Sequence, residues 1–230
     1  MSIGENLAAI RSRIEAAAER GGRNPEAVRL VAVSKTKPAA AVIEAARAGQ
    51  SVFGENYVQE LVAKSAEVKE AVEWHFIGSL QSNKVRQIAG LVHLIHSVDR
   101  LSLAQEIDRQ WGKLGSRADI LIQVNISRES TKSGTSTREL LDLVRAVAQL
   151  PNVRIRGLMT MPPFFDDPEG ARPYFRELRL LSEEVAAAEI PGVEMKELSM
   201  GMSGDFEAAV EEGATLVRVG SAIFGERHYG

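Results

Sequence analysis

Residues 29–54 read RLVAVSKTKPAAAVIEAARAGQSVFG. A β-branched run from Arg29 to Ser34 is followed by an alanine-rich stretch from Ala39 to Ala48 and a second apolar run from Ser51 to Gly54. Short apolar runs separated by a longer amphipathic segment are the pattern of a parallel βα unit. The pattern repeats along the chain. Further strands are expected at Trp74 to Ile77, Val92 to Ile95, Ile120 to Asn125, Val153 to Leu158, Met195 to Leu198 and Thr215 to Val219. Helical spacing fills Asn56 to Lys69, Arg100 to Leu114, Thr137 to Gln149, Ala171 to Ala188 and Asp205 to Glu212. Eight strands alternating with helices predict an α/β fold, a closed (β/α)8 barrel, whose usual size is ~250 residues. The opening MSIGENLAAIRSRIEAAAER adds an extra N-terminal helix. An open doubly wound sheet uses the same alternation with fewer strands. The two weakest strands, near residues 52 and 196, decide between them. No Ser/Pro/Gly-rich linker or abrupt charge change divides the chain, so residues 1–230 are expected to form a single domain.

Apolar residues make up 44% of the 230 and charged residues 26%, enough to bury a sizeable core. With 28 basic against 31 acidic residues the net charge is -3, which offers no general attraction to nucleic acid or an anionic membrane. Cysteine is absent, which removes disulfides, thiolate metal sites and cysteine nucleophiles. The opening segment lacks the apolar stretch of a signal peptide, and no uncharged apolar run approaches the ~20 residues needed to cross a bilayer. A cytoplasmic protein with no membrane partner is expected.

In such a barrel the chemistry gathers at the carboxyl ends of the strands. Lys35 ends RLVAVSK and shares a face with Val31 and Val33, toward the barrel interior if those valines point inward. Desolvation there would favour the neutral amine, a nucleophile toward an aldehyde, whereas the plainer reading has the lysine reach solvent. Near the C-terminus, SMGMSGDFEAAVEEG places Ser199, Gly201, Ser203 and Gly204 before a helix, and Gly220 and Ser221 directly follow the eighth strand. Small-residue loops after strands 7 and 8 form the recurrent phosphate cradle of these barrels; alternatively Ser203 caps a helix and the glycines only turn the chain. Arg218, between Val217 and Val219, requires either a core carboxylate or a ligand acceptor.

Other segments say less. Asn56 stands at a helix start, where capping competes with a pocket contact. His75 reads as a hydrogen-bonded core group. Lys132, in NISRESTKSG, either guards the mouth or is solvated. The methionines 159, 161, 200 and 202 read as gap fillers. His75, His93, His96 and His228 form no metal motif, and neither a GxSxG elbow nor a Walker loop occurs. Any chemistry is therefore expected to belong to a bound cofactor.

Taken together, VAVSKTKP, FGENYVQE, WHFIGSLQSNK, NISRESTKSG, GLMTM and LSMGMSGDFEAAVEEGATLVRVGSAIFG resemble the YggS/PROSC family of pyridoxal 5'-phosphate (PLP) homeostasis proteins. The resemblance runs nearly the full chain. It implies a barrel like the N-terminal domain of alanine racemase, with PLP held on Lys35 as a Schiff base. It also implies that Ser203, Gly220 and Ser221 hold phosphate, that Arg218 faces the pyridine nitrogen, and that Asn56 and Met200 line the pocket.

PLP accelerates amino-acid chemistry through a protonated ring, and an arginine at its nitrogen disfavours that proton, although alanine racemases manage with the same arrangement. Racemases also use a second base, a tyrosine from an added domain. Tyr57, Tyr174 and Tyr229 lie in helical or terminal segments, and eight βα units use the available length. The expectation is a PLP carrier or regulator in vitamin B6 homeostasis without catalysis of its own, monomeric, with apo PLP-dependent enzymes as partners. A low-activity amino-acid racemase is the alternative, and a Schiff-base aldolase acting on sugar phosphates a third reading.

Overall fold

The computed structural model describes residues 2–129 and 131–225. Helix α1 (Ile3–Arg20) comes first, followed by β1 (Arg29–Val33), α2 (Ala39–Arg47), β2 (Val52–Glu55), α3 (Val58–Glu67) and β3 (Glu73–Phe76). The chain continues with α4 (Val85–Ile88), β4 (Leu94–Val98), α5 (Leu101–Lys113), β5 (Ala118–Gln123), α6 (Leu140–Val147) and β6 (Val153–Met159). It ends with α7 (Arg172–Ala187), β7 (Val193–Ser199), α8 (Phe206–Glu211), β8 (Leu216–Val219) and α9 (Ser221–Phe224). The eight strands form a closed barrel in sequence order, so the fold is a (β/α)8 barrel with an extra N-terminal helix, not an open sheet.

Both weak strands take their places. β2 pairs parallel with β1 through Ala32 opposite Phe53, and β7 joins β8 through Ser199 opposite Leu216. The barrel closes where β1 meets β8, with Arg29 to Ala32 running beside Leu216 to Val219. Between β6 and β7 the register shifts at Gly157, whose φ is +156°. A Cβ there would lie 1.8 Å from Glu197 O, so only glycine lets the two strands approach.

Two sets of side chains fill the fold. Val31, Val52, Leu94, Leu121, Met159 and Leu216 form a small apolar cluster of their own, one residue from each of six strands. The larger core lies between the outer strand faces and the helices, where Phe53, Phe76 and Ile120 meet Ile107, Val144 and Leu178. The fourth strand lies further on than expected because His96 and Ser97, polar residues that read as a strand end, are buried within it.

α1 opens with a capping box: Glu5 N–H donates to Ser2 Oγ at 3.2 Å, and Ser2 N–H donates to Glu5 Oε2 at 2.7 Å. Its apolar stripe of Leu7, Ile10, Ile14, Ala17 and Ala18 is buried against α2, α8 and α9. Among the described residues no helix is long and apolar enough to cross a membrane. Because α1 contributes a continuous part of the core, Ile14→Ala should lower stability by about 2–4 kcal/mol, read as an earlier midpoint in urea denaturation.

Candidate functional site

At the carboxyl ends of the strands lies a cleft of about 450 Å³, within the ~300–1,000 Å³ range of small-molecule sites. Six of the seven residues nominated from sequence line it: Lys35, Asn56, Ser203, Arg218, Gly220 and Ser221. Met200 does not. It is fully buried in the core outside the barrel, while Met202, two residues on, lines the cleft instead.

Lys35 sits in the turn after β1, with Val33 beside it in the same wall. The turn is held by a buried ionic cluster that sequence reasoning missed. Lys64 Nζ, on α3, donates to Ser34 O at 2.7 Å, to Glu55 Oε1 at 2.7 Å and to Glu60 Oε2 at 3.0 Å. Ser34 Oγ donates to the same Glu55 oxygen at 2.6 Å. Burial pushes the Glu55 carboxyl up, and attraction to Lys64 opposes it. Thr36, immediately after Lys35, has φ +64°, and its N–H donates to Glu60 Oε2 at 2.7 Å. A β-branched residue in the left-handed region costs about 1–3 kcal/mol, so the cluster holds Lys35 on a strained turn. The i,i+4 spacing of Glu60 and Lys64 was the only sequence signal for it.

Asn56 caps no helix: α3 begins after Tyr57 and has no side-chain cap. Its Oδ1 is instead buried without a hydrogen-bond partner at the edge of the cleft. The loop after β3 closes against it, since a Cβ on Gly78 would lie 2.3 Å from Asn56 O.

Across the cleft the two small-residue loops meet. Gly220 N–H donates to Ser203 Oγ at 3.3 Å, and Ser221 Oγ lies 3.4 Å from the same oxygen. Ser203 therefore ties one loop to the other and does not cap α8. That loop is held by Asp205, whose Oδ1 accepts from Met202 N–H at 2.6 Å; burial pushes its carboxyl up. Ser199 is not part of this cradle. It is fully buried and points inside the barrel.

Arg218 is 4% exposed. It has no ion pair among the described residues. Its Nη1 donates to Ser199 Oγ and its Nη2 to Thr160 O at 3.0 Å. Burial pushes the guanidinium down to about 10, so it remains charged at neutral pH. The core-carboxylate reading is thus replaced by one hydroxyl, one carbonyl and the open cleft.

The remaining wall was not foreseen. Met161, Pro163, Phe164 and Phe165, from the loop after β6, give the cleft an apolar side. The gap-filler reading holds for Met159 and Met200, which are buried, but not for Met161 and Met202. Lys132 pairs with Glu129 at 3.2 Å and lines a different cleft with Asn125 and Gly134. Tyr57 is exposed and Tyr174 packs on Phe165, so neither lines the site; Tyr229 and His228 lie outside the described residues. Among the described residues no cluster could hold a metal ion.

His75 is a hydrogen-bonded core group, but its partner is His96 at 2.9 Å, a contact the sequence did not announce. Burial pushes both imidazoles down, His96 well below the usual range, with the charges of His75, Arg218 and Arg29 adding to the effect. Glu73 draws His75 back up, and Arg29 and His93 oppose it. Depressed values mean that the unfolded chain takes up protons first as pH falls.

Lys64→Met should leave the Glu55 carboxylate buried without its cation and lower stability by about 3–5 kcal/mol, measurable by thermal or urea unfolding. The two histidines contribute stability that is fully present above about pH 6.5 and lost as pH falls through their depressed folded values. Unfolding free energy measured from pH 8 to pH 5 should decline below that point, and the imidazole C–H signals of His75 and His96 should not titrate near it.

The family model for the N-terminal domain of alanine racemase matches residues 6–228. A pyridoxal phosphate homeostasis protein of Aquifex aeolicus is 46% identical over 230 residues, covering all of both chains. The Escherichia coli K12 protein of that name is 47% identical over 99% of this chain and 97% of its own. Among solved structures, PipY of Synechococcus elongatus with PLP bound has a TM-score of 0.86 and 40% identity, covering 97% of this chain and 100% of PipY. An alanine racemase of Clostridium difficile shares the fold at a TM-score of 0.73 with 15% identity; the match covers 97% of this chain but 57% of the racemase. The chain therefore belongs to the family of pyridoxal phosphate homeostasis proteins, built on the barrel domain of alanine racemase.

Proposed function

We propose that this chain binds PLP in the cleft at the barrel mouth, with Lys35 as the covalent attachment point, and acts as a carrier or regulator in vitamin B6 homeostasis. The observation that carries the reading is one cleft lined by an amine, a cluster of small donors and a charged arginine from distant parts of the chain. The donor set fits the group. Ser203, Gly220 and Ser221 supply hydroxyl and backbone donors at one end, as a phosphate requires. Asn56 Oδ1 is a buried polar atom that lacks a partner. The apolar wall from Met161 to Phe165 suits a flat ring.

When bound, PLP supplies an aldehyde carbon that condenses with a neutral amine and a ring that can withdraw electrons. The protein's part is to hold and aim. The Lys64 cluster fixes the turn that carries Lys35, and Arg218 places a permanent positive donor on the cleft floor. A guanidinium donor beside a ring nitrogen keeps that nitrogen an acceptor and works against the protonated ring that full electron withdrawal needs. With no tyrosine among the described residues that line the cleft to serve as a second base, retention and release of the aldehyde fit this arrangement better than amino-acid turnover. The reading extends to a monomeric cytoplasmic protein whose partners are apo-enzymes that require PLP.

Borohydride reduction of the chain mixed with PLP, followed by peptide mass analysis, should give one adduct, on Lys35, absent from Lys35→Ala. An adduct on another lysine alone would overturn the site. The PLP-loaded chain should activate an apo PLP-enzyme faster than free PLP at equal concentration; equal rates would overturn the carrier role.

A further inference from the structure

Arg218 reaches the cleft floor from inside the barrel, and the side chains behind it are continuous. Its Nη1 donates to Ser199 Oγ. Ser199 Oγ lies 2.8 Å from His96 Nδ1, and His96 Nε2 lies 2.9 Å from His75 Nδ1. His75 Nε2 faces Glu73 Oε2 at 3.9 Å. The four inner residues come from β8, β7, β4 and β3 and are 4% exposed or less. Since β5 and β6 stand between β4 and β7, the contact between His96 and Ser199 spans the barrel interior.

The direction of this chain follows from its end. A guanidinium has donors only, so Ser199 Oγ accepts from Arg218. The serine's single hydrogen then goes to His96 Nδ1. His96 must carry its proton on Nε2, which donates to His75 Nδ1, and His75 must carry its proton on Nε2, toward Glu73. The opposite order also joins the rings, but it leaves the buried Ser199 hydroxyl hydrogen without an acceptor among the described residues, which is unfavourable. Burial keeps both imidazoles neutral, as this order requires.

We propose that Ser199, His96 and His75 are positioning residues for Arg218: a one-way hydrogen-bond relay across the barrel that holds the guanidinium in place and directs its remaining N–H groups to an acceptor in the cleft. The inference rests on the PLP reading only for the identity of that acceptor, the ring nitrogen. None of the three touches the cleft, so their effect passes through Arg218.

Two measurements test it. Long-range nitrogen–proton NMR of the chain without added PLP should show His75 and His96 both protonated on Nε2 alone at pH 7. A proton on Nδ1 of either ring would overturn the relay. In PLP titrations followed by absorbance, Ser199→Ala should weaken binding roughly tenfold and shift the band of the bound chromophore, with His96→Leu acting alike and Ser199→Thr restoring both. Borohydride trapping on Lys35 should persist in all three variants. Unchanged affinity and band in Ser199→Ala would overturn the relay while leaving the PLP site intact. No PLP binding by the unsubstituted chain would overturn the functional reading and this role with it.

Discussion

Closure of the barrel between β1 and β8 is the constraint on which the site depends. Pairing Arg29 to Ala32 with Leu216 to Val219 sets the two ends of the chain side by side. Lys35 follows one of these strands and Gly220 and Ser221 follow the other, so an amine and a small-residue loop far apart in sequence face one cleft. Both lie just past the strand ends, and a shift of pairing by one residue would turn every side chain of β8 to the opposite face. Arg218 would then leave the barrel interior and Val217 or Val219 would enter it. The apolar cluster of Val31, Leu216 and their neighbours opposes such a slip, because it fills the interior beneath the cleft.

Besides that apolar cluster, buried polar groups stand in two separate systems. One lies between β1, β2 and α3, where Lys64 joins Ser34, Glu55 and Glu60. The other crosses the interior from Glu73 to Arg218. Apolar residues of similar volume would often serve stability as well or better, since burying charges costs desolvation that pairing only partly offsets. Each system instead holds a residue at the cleft: the first brackets Lys35 through its neighbours Ser34 and Thr36, and the second holds the guanidinium of Arg218. The strained Thr36 belongs to the same pattern, a local cost held by Glu60 beside the amine of Lys35.

Much of this was legible in the sequence, for identifiable reasons. Strands and helices followed from hydrophobic periodicity. The rule that strand ends carry the site pointed to Lys35, Ser203, Gly220 and Ser221 but left each a plainer reading, solvent contact or capping and turning, and for Lys35 the family resemblance chose. Asn56 and Arg218 were found as residues with two possible roles, and only contacts could choose between them. What stayed hidden depends on distant partners. The expected fourth strand stopped at Ile95, just short of His96; with His75 and Ser199 as partners His96 belongs inside. Lys64 looked like one more charge on an amphipathic helix, since nothing local tells that Glu55 is buried beneath it. Met200 and Met202 are alike in sequence, and the turn at Met202 to Asp205 brings only the second to the cleft.

The walls of the cleft differ in how firmly they are tied. Lys35 and the cradle loops are joined to strands, to α3 or to each other by side-chain and backbone bonds. The stretch from Met161 to Asp166 has no regular secondary structure, and among the described residues none of its backbone N–H groups donates to another backbone group. Phe164 is 87% exposed there, so part of this wall contributes little burial. Beyond it the chain is anchored again, where Arg172 pairs with Glu211 at 2.7 Å and Glu212 at 3.4 Å. Segments with few hydrogen bonds and little buried apolar surface open at low free-energy cost. The apolar wall is thus the least tied side of the cleft, held mainly where Phe165 packs on Tyr174, while hydrogen bonds fix the turn of Lys35, the two serine loops and the guanidinium of Arg218.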